Sequence, residues 1–247
     1  MCSVGTADPW NAAGLGLDVL ALRECGAYAV TVTAGLSAQD GAGVRATLAT
    51  PAGFVAAQFA SLATAGIAAY RIGALLDVAT VRCVAAHVRD VRVPVVYDPV
   101  LAASAGGRFA DDETLRAIRD ELLPYVSLVT PNLGEASALT GERVTTPAQM
   151  QGAGERLVAR GARAALVTGG HLTGDPCDVL VDGHGAREFT GTRLTSDVRG
   201  TGCLLAAAAA AALARGDATA EAVAYARAFV RAKIRSGIMR GAMRVAY

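Results

Sequence analysis

The feature that most constrains this chain is an alternation of two textures. Short runs rich in β-branched and apolar residues, at 28–33, 68–72, 94–97, 127–130, 164–168 and 178–181, take turns with longer Ala/Leu/Arg segments of helical period. The helical segments fall at about 13–25, 51–65, 78–91, 112–122, 147–160, 202–215 and 220–235. Short strands separated by helices long enough to cross back over a sheet are the signature of repeated βα units around a mainly parallel sheet. The pattern therefore predicts a doubly wound α/β protein. In such sheets ligands bind beyond the carboxyl ends of the strands. The residues to inspect are then Gln39-Asp40, Gly73, Asp98-Pro99, residues 132–135 and Gly169-Gly170-His171.

With 247 residues, no internal repeat and no low-complexity linker, one domain over residues 1–247 is expected. The longest apolar stretch, 204–214, is mostly alanine and too short to cross a bilayer. Met1-Cys2-Ser3-Val4 carries neither a basic nor an apolar leader, so the expectation is a cytoplasmic protein without a membrane partner. The net charge is +1 and the basic residues are scattered, which argues against a nucleic-acid partner. Five cysteines (Cys2, Cys25, Cys83, Cys177, Cys203) form no C-x-x-C pair, so neither a disulfide framework nor a structural zinc site is expected. Lys233 is the sole lysine; elsewhere arginine supplies the basic charge.

Arg199-Gly200-Thr201-Gly202-Cys203 stands directly before the alanine-rich helical segment. Glycines let successive N–H groups converge on one spot, and a helix N-terminus adds its positive dipole, so the segment reads as an anion site for a phosphate or a developing phosphoryl charge. Cys203 would sit at the helix start, where a thiol pKa tends to fall, and could serve as base or polar partner to a hydroxyl. The competing reading is an ordinary glycine-rich helix entry with a buried cysteine. In Thr130-Pro131-Asn132-Leu133-Gly134-Glu135-Ala136, Asn132 and Glu135 share the first turn of a helix. They could reach a hydrated Mg²⁺ and its phosphate ligands, or they could simply be an N-cap and its capping-box partner. Asp98 lies at a strand end, facing the ligand crevice or making an Asp-Pro turn. Residues 5–18 are rich in small side chains and precede a helix, which suits a flat ligand or a plain loop.

These segments occur together, in this order and at these separations, in one family. The chain resembles the hydroxymethylpyrimidine/phosphomethylpyrimidine kinases of the ribokinase-like superfamily over nearly its whole length. The matching stretches are Gly5-Thr6-Ala7-Asp8-Pro9 through Ala13-Gly14 and Asp18; Gly26-Ala27-Tyr28 with Ser37-Ala38-Gln39; Ile72-Gly73; Asp98-Pro99-Val100; Leu122-Leu123-Pro124; residues 129–135; Gly169-Gly170-His171; and Gly200-Thr201-Gly202-Cys203. The resemblance implies a three-layer ribokinase-like fold, a mainly parallel central sheet with helices on both faces. It implies that Gly5, Ala13, Asp18 and Gln39 hold an aminopyrimidine and its hydroxymethyl group. Gly200, Thr201 and Gly202 match the anion hole, with Cys203 where most ribokinase-like enzymes place an Asp base. Asn132 and Glu135 match the motif that organises Mg²⁺ and phosphate, with Asp98 the neighbouring carboxylate; Asp98 and Glu135 are thus the expected metal residues. ATP and Mg²⁺ are the implied cofactors, thiamin synthesis the implied setting, and a homodimer the expected assembly.

Departures from the family pattern are concentrated at charged positions. Thr168 stands where the family usually has Lys before Gly-Gly-His, and Ser104-Ala105 where it has Lys-Ser. Arg199 replaces the His that commonly precedes the anion-hole glycine and is the candidate replacement charge beside Thr168. Gly16 and Ala74 replace Gln and Met, Ala7 is an extra residue, and the first strand looks cut short. Two other readings follow: a pyridoxal kinase, whose substrate is another flat heteroaromatic alcohol, and a pyrimidine-binding relative with little activity.

Overall fold

The computed structural model describes residues 1–40, 42–102, 107, 109–194 and 198–246. In chain order the elements are β1 (Cys2–Ala7), α1 (Gly14–Glu24), β2 (Val30–Asp40), β3 (Gly43–Ala49), α2 (Ala52–Ser61), β4 (Tyr70–Ile72), α3 (Val78–Val88) and β5 (Val95–Tyr97). There follow α4 (Asp112–Ala117), β6 (Leu128–Val129), α5 (Leu133–Thr140), α6 (Pro147–Ala159), β7 (Ala164–Val167), β8 (Cys177–Asp182), β9 (Gly185–Thr190), α7 (Thr201–Ala214), α8 (Thr219–Ser236), β10 (Ile238–Arg240) and β11 (Met243–Val245). Helix starts are written into the sequence. Asp77, Asp111 and Thr146 each accept an N–H from the first turn of α3, α4 and α6, the last with Pro147 as first helical residue.

One nine-stranded sheet runs in the order β3-β2-β1-β4-β5-β6-β7-β8-β9. The six strands from β2 to β7 are parallel, while β3, β8 and β9 join antiparallel at the two edges. Strand order reverses between β1 and β4, which opens a crevice at their carboxyl ends. The period of two along each strand sends alternate side chains to opposite layers. In β5, Val95 and Tyr97 join the core under α2 and α3, while Val96 joins the core under α7 and α8. Residues 206–212 of α7 are all alanine and all buried, so this helix lies close to the sheet between α1 and α8.

The sequence expectation needs correction at the start. β1 is six residues long, pairs along its length with β2 and over its first three residues with β4, and is an interior strand rather than a truncated one. Its small side chains, buried on both faces, carry no alternation to read. β3 and β9 were also missed, because exposed residues dominate both edge strands. β2 runs past residue 33 to Asp40 and, with β3, forms a hairpin beyond the end of β1.

The chain enters α7 through Gly200 at φ 79°, the left-handed region. A Cβ there would lie 2.4 Å from the carbonyl oxygen of Ala12 and 2.3 Å from Leu17 Cδ2, so the two loops at the crevice touch backbone to backbone. Gly200→Ala is expected to destabilise the protein by about 2 kcal/mol or more, from strain and overpacking together. An unchanged urea midpoint would show that this loop is free to rearrange.

Candidate active site

The centre of the site is a charge inside the sheet. Tyr70 and Ile72 of β4 turn into the apolar core on one face, so Arg71 between them must turn toward α1 and α7. Its side chain is 1% exposed. Nη1 donates to Asp18 Oδ2 at 2.8 Å and Nη2 donates to Asp98 Oδ2 at 2.7 Å. Asp18 Oδ2 also accepts the Ser3 hydroxyl at 2.6 Å. Space for the guanidinium exists because residue 73, just beyond the end of β4, is glycine: a Cβ there would fall 2.3 Å from Arg71 Nη1.

Cys203, in the first turn of α7, lies close enough to Asp98, Arg71 and the Gly14 N–H at the start of α1 to feel all three electrostatically. Two helix N-termini and a buried guanidinium thus meet at one thiol, an arrangement that favours negative charge. The sequence led us to expect a lowered thiol pKa. Burial decides otherwise: it pushes Cys203 up to about 12, with Arg71 acting in the opposite direction, so at neutral pH the group is a thiol.

Asn132 and Glu135 form the capping box that was one of the two readings. Asn132 Oδ1 accepts the Glu135 N–H at 3.0 Å, and Glu135 Oε2 accepts the Asn132 N–H at 2.8 Å. The box does not exhaust the pair, because Glu135 also feels Asp98. Burial first, then the Asp98 charge, push Glu135 up to about 8, and burial raises Asp98 as well. Among the described residues no group of three or more His, Cys, Asp or Glu gathers as a metal cage. Two adjoining carboxylates are nevertheless the donor set Mg²⁺ takes when phosphate and water fill its remaining positions. A cation would relieve the cost of holding both, so the residues present fit such an ion.

The remaining candidates lie as follows. Thr168, after β7, pairs through its backbone with Asn132, and its N–H donates to Pro131 O at 2.8 Å. Arg199 is tied by its backbone to the C-terminal hairpin, its N–H donating to Arg244 O at 3.0 Å. Gly5 ends beside Gly73. Ala13 is the N-cap of α1, its N–H held at 3.2 Å by Asp8 Oδ2, which also accepts the Ala12 N–H. Gln39 is half-buried in the β2–β3 hairpin, opposite Val44 at a register shift. Asp18 is fully buried, and its partners are Ser3 and Arg71. Ser104 and Ala105 lie outside the described residues. A half-open cavity of about 300 Å³ lined by Phe59, Tyr70 and His87 lies at the opposite, amino end of the strands, away from this cluster.

Arg71 and Ser3 escaped the sequence reading. A usable signal was present, since an arginine between Tyr70 and Ile72 in a strand of a doubly covered parallel sheet must find a buried partner.

Comparison with known proteins agrees with this geometry. The fold matches at a TM-score of 0.90 the ADP complex of pyridoxal kinase from Bacillus subtilis, at 26% identity over 99% of this chain and 96% of that one. It matches phosphomethylpyrimidine kinase from Clostridium difficile at a TM-score of 0.83, with 23% identity over 94% of this chain and 98% of that one. A three-layer ribokinase-like fold and the kinase family it belongs to define the class: this is a phosphotransferase. More narrowly, a family model described as phosphomethylpyrimidine kinase matches residues 8–246, and the chain belongs to that family. It is 33% identical to a hydroxymethylpyrimidine/phosphomethylpyrimidine kinase of Streptomyces coelicolor, over 84% of this chain and 78% of the relative. With the protein of the same description from Escherichia coli it shares 35% identity, over 84% of this chain and 80% of the relative.

Raised carboxyl pKa values carry a sign. Glu135 prefers its neutral form in the folded state, so its contribution to stability is full below its ordinary value of 4.5 and is lost as pH rises through about 8. Without added metal, the thermal midpoint of wild type relative to Glu135→Gln should therefore decline from pH 5 to pH 8.5. Parallel curves for the two proteins would mean that Glu135 is an ordinary solvated carboxylate.

Proposed function

We propose that this chain transfers the γ-phosphoryl group of ATP to the hydroxymethyl oxygen of 4-amino-5-hydroxymethyl-2-methylpyrimidine, or to its monophosphate, in thiamin biosynthesis. The observation that carries the reading is the close approach of the loops that open α1 and α7, Gly200 against Ala12, with Gly202 beside the Asp98 carboxylate. Phosphoryl transfer asks a protein mainly for positioning and for fixed dipoles aimed at the migrating charge. Gly200, Thr201 and Gly202 supply those dipoles. Their N–H groups, at the start of α7, face the oxygens of the phosphoryl group in flight. As the alcohol oxygen bonds to phosphorus and the bond to ADP breaks, the hydroxyl proton leaves toward Cys203 and Asp98. A thiol that is protonated at rest is suited to relay that proton rather than to remove it beforehand.

Asp98 and Glu135 would hold Mg²⁺, which when bound neutralises phosphate charge. Asn132, Thr168 and Arg199 border the nucleotide phosphates in this reading. Gly5, Ala13 and Gln39 receive the flat ring, and Asp18 supports that side from behind. ATP and the alcohol are the partners, the cytoplasm is the setting, and the chain acts as a homodimer. Leu36 and Leu48, cross-strand neighbours in the β2–β3 hairpin and both exposed, offer apolar surface for that contact. Sedimentation equilibrium should return twice the chain mass; a monomer at micromolar concentration would remove this part of the reading.

A second reading, pyridoxal kinase, is favoured by the high structural similarity to enzymes of that name. ADP release measured with hydroxymethylpyrimidine, its monophosphate and pyridoxal separates the two. The pyrimidine alcohol or its monophosphate should give the highest kcat/KM, and pyridoxal should compete weakly. Cys203→Ala should lower kcat by roughly 10²-fold, the scale of a positioned acid/base group. Absence of turnover with every heteroaromatic alcohol would remove the kinase assignment to this substrate class, and an unchanged Cys203→Ala rate would reduce the thiol to packing.

A further inference from the structure

Arg71 has no role in the reading above, yet it bonds both Asp18 and Asp98. We propose that Arg71 is a positioning residue for phosphoryl transfer: its guanidinium holds the Asp98 carboxylate against Cys203 and ties both to α1. It is 1% exposed and so lies beneath the crevice, out of reach of a substrate there. What it can do is fix directions. One nitrogen is committed to Asp18 on α1 and the other to Asp98 after β5, at 2.8 and 2.7 Å. The guanidinium is a rigid plane, so these two contacts set the angle between the two carboxylates as well as their separation.

The surrounding structure is shaped to this plane. Gly73 leaves out the Cβ that would fall 2.3 Å from Nη1, and a Cβ on Gly202 would lie 3.8 Å from each Asp98 oxygen. The anion loop thus rests on a carboxylate whose orientation Arg71 sets. Ser3 holds Asp18 from its other side, at 2.6 Å, and so anchors the far end of the chain of contacts in β1. A lysine could keep the charge but, as a single point donor on a flexible stem, it could not keep the angle. Position is the quantity at stake, because a displacement of about 1 Å at a reacting centre can cost on the order of 10²-fold in rate.

The proposal rests on the kinase reading for its kinetic arm, so the test has an arm that does not. Arg71→Lys keeps the charge. Gly73→Ala keeps the arginine but pushes its guanidinium aside, which gives a second route to the same displacement. Both proteins are compared with wild type at a temperature well below their thermal midpoints. We expect kcat to fall by roughly 10- to 100-fold in each, with KM for ATP and alcohol within about threefold. In the apoproteins, alkylation of Cys203 by iodoacetamide, read by mass spectrometry, should speed up by about tenfold or more relative to the half-buried Cys25. Wild-type kcat in either folded variant, or an unchanged Cys203-to-Cys25 ratio, would overturn the proposal. If wild type itself turns over no alcohol, the kinase reading fails and the alkylation ratio alone decides this one.

Discussion

The site depends on the burial of one cation within a sheet. Arg71 is enclosed between two carboxylates that are themselves buried, and Nε of Arg71 and Oδ1 of Asp18 find no partner among the described residues. Such a cluster is a poor source of stability. Desolvating each ion costs several kcal/mol, and well-packed apolar residues of similar volume are often as stable or more so. Removing one member is worse, at roughly 3–5 kcal/mol, because a charge is then left buried alone. The balance of these terms favours keeping all three groups or none. A molecule that keeps all three gains a fixed geometry at the strand ends where β1 and β4 diverge.

Around that cluster the packing is set by small residues. An alanine face on α7 lets the helix approach the sheet, and Gly200 lets the loop before it approach the loop before α1. The two helix N-termini come together because nothing larger than hydrogen stands between them. This closeness is also what buries Cys203. A helix N-terminus lowers a thiol pKa when solvent can share the charge. Here the same approach that supplies the dipole removes the water, and desolvation is the larger effect.

Asn132 and Glu135 show how one motif can serve two ends. Their capping box satisfies N–H groups that the helix would otherwise leave bare, and it also fixes the Glu135 carboxylate beside Asp98. Geometry that is local to its own segment thus brings together two carboxylates far apart in the chain. Of the departures, Thr168 belongs to this neighbourhood, paired to Asn132, while Arg199 is held by the C-terminal hairpin.

Much of this was legible in the residues alone. Short β-branched and apolar runs and helical periods placed five of the six parallel strands, β1 excepted, and seven of the helices, because local propensity acts over a few neighbours. The motifs around Gly5, Asp98, Asn132 and Gly200 identified the family, because a glycine in a left-handed turn or a cap before a helix is written in adjacent residues. Tertiary structure decided the rest. It set β1 inside the sheet between β2 and β4 although its small residues show no alternation, and it buried Asp18 against Ser3 and Arg71. It reversed the direction of the Cys203 shift, and it gave Arg71 its two partners. Each of these depends on burial or on contacts between residues far apart in the chain, and solvent exclusion at a point is a property of everything that surrounds it.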